Sequence, residues 1–97
     1  MGPETVPGIL ASCAKGFVPV NVEIGLAIEA HRRHPSRNTL YAVIMARQPA
    51  VTDTQRQLDY LVGLPDTAWQ EEPNWEQHRD ETLAHLRRSI AWRSICA

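Results

Sequence analysis

Residues 74–95 constrain the fold more than any other part of the sequence, because they lie within the longest run without proline or glycine. A run of this length can form one uninterrupted helix of about six turns. Asn74 and Gln77 stand at the spacing of a capping box, which predicts where the helix begins. Its apolar stripe, which includes one threonine, recurs at steps of three and four residues: Trp75, Thr82, Leu83, Leu86 and Ile90. Such a stripe needs a partner surface, so the remainder of the chain is expected to pack against it.

Four shorter helices are predicted before residue 74, each bounded by proline or glycine. Their expected ranges are 5–15, 18–31, 38–45 and 52–62. Ser36 or Asn38 is expected to cap the third of them, and Thr52 with Gln55 forms a second capping-box signature at the start of the fourth. A single helical turn fits between Asp66 and Glu72, followed by Pro73.

The second predicted helix, Val18–His31, carries two competing patterns. Between residues 18 and 28, apolar side chains alternate with polar or small ones, which is typical of a strand. Against this, Asn21 can cap a helix, and Ala27 and Glu29 are better helix formers than strand formers. A lone strand would also have no partner elsewhere in the chain. We therefore expect a helix, with a strand as the alternative.

The length of 97 residues suffices for one domain with a single core. We expect residues 1–97 to form one all-α domain, a small bundle of four short helices and one long C-terminal helix, with residues 1–4 loose. No apolar run approaches the roughly twenty residues that cross a bilayer. Cys13 and Cys96 form no CxxC pair, and no secretory signal is present, so reduced thiols and a cytoplasmic location are expected. A disulfide between the two cysteines is the alternative.

Charge is unevenly distributed along the chain, although the net charge is −1. No acidic residue lies between Glu29 and Asp53, and four arginines fall in that interval: Arg32, Arg33, Arg37 and Arg47. Arginine is favoured at protein interfaces and in bidentate anion recognition. Residues 32–47 are therefore a candidate binding surface. A solvated face and a compositional preference for arginine are the structural alternatives.

Four histidines are the candidates for metal ligation: His31, His34, His78 and His85. They form two pairs, spaced by three and by seven residues, and each pair could face one way on a helix. The sequence contains neither an HExxH motif nor a cysteine cluster. Capping or surface roles are therefore the preferred interpretation, and no cofactor is expected.

His78, His85 and Trp92 follow one another at intervals of seven residues, beside the apolar stripe of the long helix. A flank that is aromatic and half polar suits a protein interface, because such side chains bury well and keep a polar group available. Packing at the edge of the core is the alternative.

Nucleic-acid binding and catalysis fit the sequence less well. The third and fourth predicted helices superficially resemble a helix-turn-helix, but the fourth carries Asp53 and Asp59 beside Arg56, whereas phosphate binding requires a basic face. Cys13 has no activating neighbour except Lys15, and no nucleophile, base and charge-stabilising group can be assembled. An enzyme is not expected.

The sequence therefore predicts a small binding protein, an adaptor, inhibitor or regulator that contacts another protein through its long helix and through residues 32–47. A helical metal- or haem-binding protein and a nucleic-acid-binding regulator are the alternatives. Homo-oligomerisation is compatible with the same surfaces.

Overall fold

A computed structural model describes residues 21–96 of the chain. They form four α-helices with a short 3-10 helix, Asp66–Ala68, before the last one. The α-helices are α1 (Ile24–Arg33), α2 (Arg37–Ile44), α3 (Val51–Val62) and α4 (Trp75–Cys96). This part of the chain is all-α and ends in the long helix, as the sequence predicts. The first predicted helix, the loose residues 1–4 and Cys13 lie outside the described residues.

The chain divides into two compact units, with the boundary between Arg47 and Gln48. In the first unit α1 contacts α2, and in the second α3 contacts α4. The prediction of one domain over residues 1–97 stays a prediction. Among residues 21–96, no helix is both long enough and apolar enough to cross a membrane.

The ambiguous segment of the sequence forms helix α1 from Ile24 onward. Its N-cap is Glu23, whose carboxylate accepts a hydrogen bond from the Gly25 N–H at 2.9 Å. Asn21 is not the cap, since its φ of 62° lies in the left-handed region. The buried side chains of α1 recur at helical steps: Ile24, Ala27, Ile28, Ala30 and His31. Strand pairing in the described chain is limited to one isolated bridge, between Glu23 and Arg47.

A capping box begins α2, and Ser36 rather than Asn38 supplies it. The Ser36 hydroxyl accepts a hydrogen bond from the Thr39 N–H at 3.1 Å, and the Thr39 hydroxyl accepts one from the Ser36 N–H at 3.0 Å. The Thr39 hydroxyl also lies 2.7 Å from the His34 carbonyl oxygen, to which it donates. Together with Pro35, these contacts set the turn between α1 and α2.

The predicted capping box of α3 is wrong by two residues. The helix begins at Val51, and the Asp53 carboxylate accepts a hydrogen bond from the Ala50 N–H at 2.8 Å. Ionised acceptors form stronger hydrogen bonds than neutral ones and are favoured at a helix N-terminus, which explains why Asp53 replaces the predicted pair. Gly63 follows the last residue of α3 as its C-cap, as predicted.

The predicted capping box of α4 is also wrong, although the helix starts where expected. Asn74 has a φ of 60°, in the left-handed region that asparagine tolerates better than most residues. The side-chain amide of Gln77 donates to Glu81 at 3.4 Å instead of reaching back. The His78 N–H donates to the Asn74 carbonyl at 3.1 Å, so helical hydrogen bonding begins at this residue.

Candidate protein-binding surface

α4 lies against α3 along the predicted apolar stripe. Leu86 is buried, with 3% of its surface exposed, and it is the one buried residue of this helix. Leu83 and Ile90 are half-buried beside it. α4 therefore buries a narrow strip, and most of its circumference remains available to other contacts.

Two arginines fix how α4 is oriented on α3. Near its C-terminal end, the Arg93 guanidinium donates to the Thr54 hydroxyl at 2.7 Å and to the Gln48 carbonyl at 2.9 Å. Near its N-terminal end, Arg79 lies 3.0 Å from the Asp66 carboxylate. The end of α4 thus meets the start of α3, and the start of α4 meets the chain that follows α3. The two helices are antiparallel, and the buried side of α4 is set.

The three residues of the predicted flank share one side of α4. His78, His85 and Trp92 are spaced by seven residues, which falls about 20° short of two turns, so they form a nearly straight line along the helix. Because Leu86 follows His85 by one residue, this line lies about 100° from the buried side. Exposure differs along it: His78 is half-buried, whereas His85 is exposed and Trp92 is 68% exposed. The alternative interpretation, packing at the edge of the core, therefore applies to His78 and not to Trp92.

His78 packs edge-on against Trp69, with ring centroids 6.1 Å apart and planes at 78°. Trp69 itself is only 4% exposed. Within residues 21–96, the Trp69 Nε1 and both ring nitrogens of His78 are buried without a hydrogen-bond partner. Buried polar atoms of this kind lose hydration without compensation, so this corner keeps unused hydrogen-bonding capacity.

A shallow, open depression adjoins His78, with a volume of about 330 Å³. It is lined by Pro73, Asn74, Gln77, His78, Glu81 and Thr82. Its volume is near the lower end of the range of about 300–1,000 Å³ that is usual for binding pockets. The depression lies on the same flank as Trp92, about 21 Å away along the helix axis. Sequence reasoning missed it, because no local pattern predicts that Trp69 contacts His78.

A second line of residues runs beside the flank on its solvent side. Glu81, Arg88 and Ile95 each follow a flank residue by three positions, which places them about 60° further from the buried side. Ile95 is 79% exposed, and Glu81 and Arg88 are exposed as well. In the part of the chain that the structure describes, neither charged group forms an ion pair. The N-terminal half of this line is acidic, and the C-terminal half is basic and apolar.

All four predicted arginines of the first unit are exposed: Arg32, Arg33, Arg37 and Arg47. Three of them border the turn between α1 and α2. Arg33 lies 2.6 Å from Glu29, an exposed pair of the kind that contributes little to stability. Arg47 forms an isolated backbone β-bridge with Glu23, at the opposite end of α1. This end lies about 15 Å along the helix from the turn that the other three arginines border. The structure thus gathers three of these arginines and separates the fourth.

The histidines of the first unit do not share a face. His31 is buried, with 4% exposed, whereas His34 is exposed. Its burial lowers the pKa of His31 and corrects the interpretation of this residue as a surface histidine, whereas its capping role stays a prediction. Among residues 21–96, no three His, Cys, Asp or Glu side chains are grouped so that they could hold a metal ion.

Comparisons with known proteins add no family. No protein-family model matches the chain, and no curated protein or solved structure is similar to it. The function is therefore argued from the surfaces described above.

Proposed function

We propose that this chain is a small non-enzymatic binding protein, an adaptor, inhibitor or regulator, that recognises another protein. Its principal contact is the flank of α4 around Trp92, and its second is the group of exposed arginines between residues 32 and 47. The observation that carries the proposal is the 68% exposure of Trp92 on a helix whose orientation is set by other residues. A tryptophan presents roughly 150–250 Å² of largely apolar surface, and tryptophan is enriched at binding hot spots.

The surroundings of Trp92 support this interpretation. Ile95 adds a second exposed apolar side chain about one turn after Trp92. Arg88 supplies a polar group about one turn before Trp92, and His85 supplies another about two turns before it. An apolar centre with a polar rim is the usual organisation of a protein interface. Trp92 is also not among the residues that orient α4, which are the buried Leu86 and the hydrogen-bonded Arg79 and Arg93.

The exposed arginines offer a second surface for an acidic partner. Guanidinium groups bind carboxylates in a bidentate geometry, which gives orientation as well as attraction. A cytoplasmic location belongs to the same proposal. The exposed, free thiol of Cys96 suits a reducing compartment, because an exposed thiol in an oxidising compartment tends to form disulfides.

Replacing Trp92 with alanine tests the first surface. Trp92→Ala should lower capture of the partner from the cell's own extract at least about tenfold, since hot-spot truncations cost about 2 kcal/mol or more. The melting temperature should stay nearly constant. Val62→Ala, which removes exposed apolar surface from α3, is the matched control. A large drop in melting temperature for Trp92→Ala would instead assign this side chain to the core.

Charge reversal tests the second surface. The triple exchange Arg32→Glu, Arg33→Glu and Arg37→Glu should abolish partner binding and leave the helical circular dichroism intact. The fold should tolerate it, because the Arg33–Glu29 pair is exposed and Arg37 begins α2, where a negative charge is favoured. Arg47→Glu alone should have a smaller effect, since Arg47 lies at the other end of α1. Unchanged binding by the triple variant would remove this surface from the proposal.

A further inference from the structure

We propose that the α4 flank binds a second copy of this chain, docked antiparallel, so that Trp92 of each copy enters the depression at Pro73–Thr82 of the other. This rests on the proposed function, which makes the flank an interaction surface, and it names the occupant of that surface. Three observations of the second unit carry it: the spacing along the flank, the shape at its N-terminal end, and the charges beside it.

The spacing has the symmetry that such a pair requires. His78 and Trp92 are each seven residues from His85, in opposite directions. A twofold axis beside His85 therefore brings Trp92 of one copy level with His78 of the other. Twofold dimers use the same patch on both copies, so every contact occurs twice. The exposed Trp92 and the depression are thus the two halves of one self-complementary patch.

The depression suits an aromatic side chain. Its wall includes His78, whose ring packs edge-on against the buried Trp69. An indole that enters here packs on the residues of this wall and meets polar side chains to which its N–H can donate, Gln77 and Glu81. The most exposed aromatic group of this flank and the site that can receive it therefore lie on one helix.

The charges beside the flank favour the antiparallel orientation. Glu81 and Arg88 lie on the same edge of α4. The twofold axis brings Glu81 of one copy almost level with Arg88 of the other, with an offset of about 1.5 Å along the helix. Two ion pairs result. In a parallel twofold pair the edges that carry Glu81 and Arg88 would lie on opposite sides of the interface, and neither ion pair would form.

The angle between the two surfaces of α4 also fits this arrangement. The flank lies about 100° from the side that contacts α3. In a four-helix bundle each helix contacts two neighbours at roughly such an angle. Within residues 48–96, α4 packs against one helix, α3. A second copy supplies the other neighbour, and two α3–α4 hairpins form the bundle.

Sedimentation equilibrium of the full chain over a wide concentration range tests the pairing. The wild-type chain should populate a dimer as its concentration rises. Trp92→Ala should raise the dimer Kd at least about tenfold, which corresponds to 1.4 kcal/mol. Val62→Ala is the matched control, because it removes an exposed apolar side chain of α3, outside the flank, and it should change Kd less than about twofold. Circular dichroism verifies that both variants stay helical.

Charge exchange tests the register. Glu81→Arg and Arg88→Glu should each weaken the homodimer at least about tenfold, because each places like charges together. An equimolar mixture of the two variants should pair as well as the wild type, since opposite charges then meet at both positions. The double variant E81R/R88E should recover the homodimer.

Disulfide trapping tests the orientation, in a Cys13→Ser background. The antiparallel pair holds the two Cys96 residues about 33 Å apart, so oxidation should not link them. His85→Cys combined with Cys96→Ser places the new thiols next to the twofold axis and should give a covalent dimer. A link through Cys96 would show a parallel pair and would overturn the proposal.

A chain that stays monomeric at every concentration, or a dimer that tolerates both Trp92→Ala and the charge reversals, also overturns the second-copy proposal. If the chain is monomeric and Trp92→Ala still lowers capture of a different protein, the proposed function stands and that protein, not a second copy, occupies the α4 flank. If Trp92→Ala affects neither the dimer nor capture, both proposals fail.

Discussion

Helices α1 and α4 use their side chains in opposite ways. α1 buries five of its ten residues, whereas α4 buries one of twenty-two. The shorter helix is held mainly by the removal of apolar surface from water, which is non-directional and scales with area. The longer helix is held by a narrow apolar strip centred on Leu86 and by directional contacts of Arg79 and Arg93. A helix held in this way keeps most of its surface available for recognition.

The largest effect that separates the two helices is expected from matched isoleucine truncations. Ile24→Ala in α1 should lower the free energy of unfolding by about 2–5 kcal/mol, because the side chain is fully buried and leaves a cavity. Ile95→Ala in α4 should change it by no more than about 0.5 kcal/mol. Urea denaturation measures both. Similar losses at the two positions would break the comparison.

A smaller effect tests whether hydrogen bonds hold α4. Arg93→Ala should lower the free energy of unfolding by about 1–2 kcal/mol, because it removes the donors to the Thr54 hydroxyl and the Gln48 carbonyl. Arg88→Ala, on the exposed side of the same helix, should change it by less than about 0.5 kcal/mol. If the two arginines were equivalent, the orientation of α4 would have another origin.

The helix caps sharpen the comparison between the two units. Ser36→Ala should cost about 1 kcal/mol in the first unit, because it removes the cap of α2. Ala50→Ser in the second unit should add about 0.5–1 kcal/mol, since Ala50 has no side-chain acceptor at the start of α3. Thermal unfolding of the two variants should shift in opposite directions, and a gain from Ser36→Ala would contradict the observed capping box.

The pH dependence of stability should report the burial of His31. Burial lowers the pKa of His31 below its ordinary value of 6.5, so the unfolded chain takes up this proton at higher pH than the folded chain. The contribution of the neutral, buried His31 to the free energy of unfolding is fully present above about pH 6.5. It is lost as the pH falls from there to the lower pKa of the folded chain. His31→Gln should flatten the slope of stability against pH in this window, and the exposed His34→Gln should not. An equal slope in both variants would rule out His31 as its source.

Much of the helical organisation could be predicted from short-range patterns. Pro35 with Ser36, and Gly63 after α3, mark helix ends through contacts within about four residues. The strand-like alternation before residue 28 did not prevail over the predicted helix, because its apolar residues also recur at helical steps and Glu23 caps the helix. The predicted boxes at Thr52 and Asn74 failed for local reasons too, since Asp53 is a competing acceptor and Asn74 adopts a left-handed conformation.

The candidate surface also has features that local sequence predicts and features that depend on distant contacts. The sequence by itself determined that His78, His85 and Trp92 share one line on a long helix, because helical periodicity depends only on spacing. It could not determine which of them is exposed. That depended on Arg93 meeting Thr54, 39 residues away, and on Trp69 covering His78. The apolar stripe predicted which side of α4 is buried, and only the tertiary structure decided how far each residue beside the stripe is exposed, since that depends on contacts between distant residues and not on local spacing.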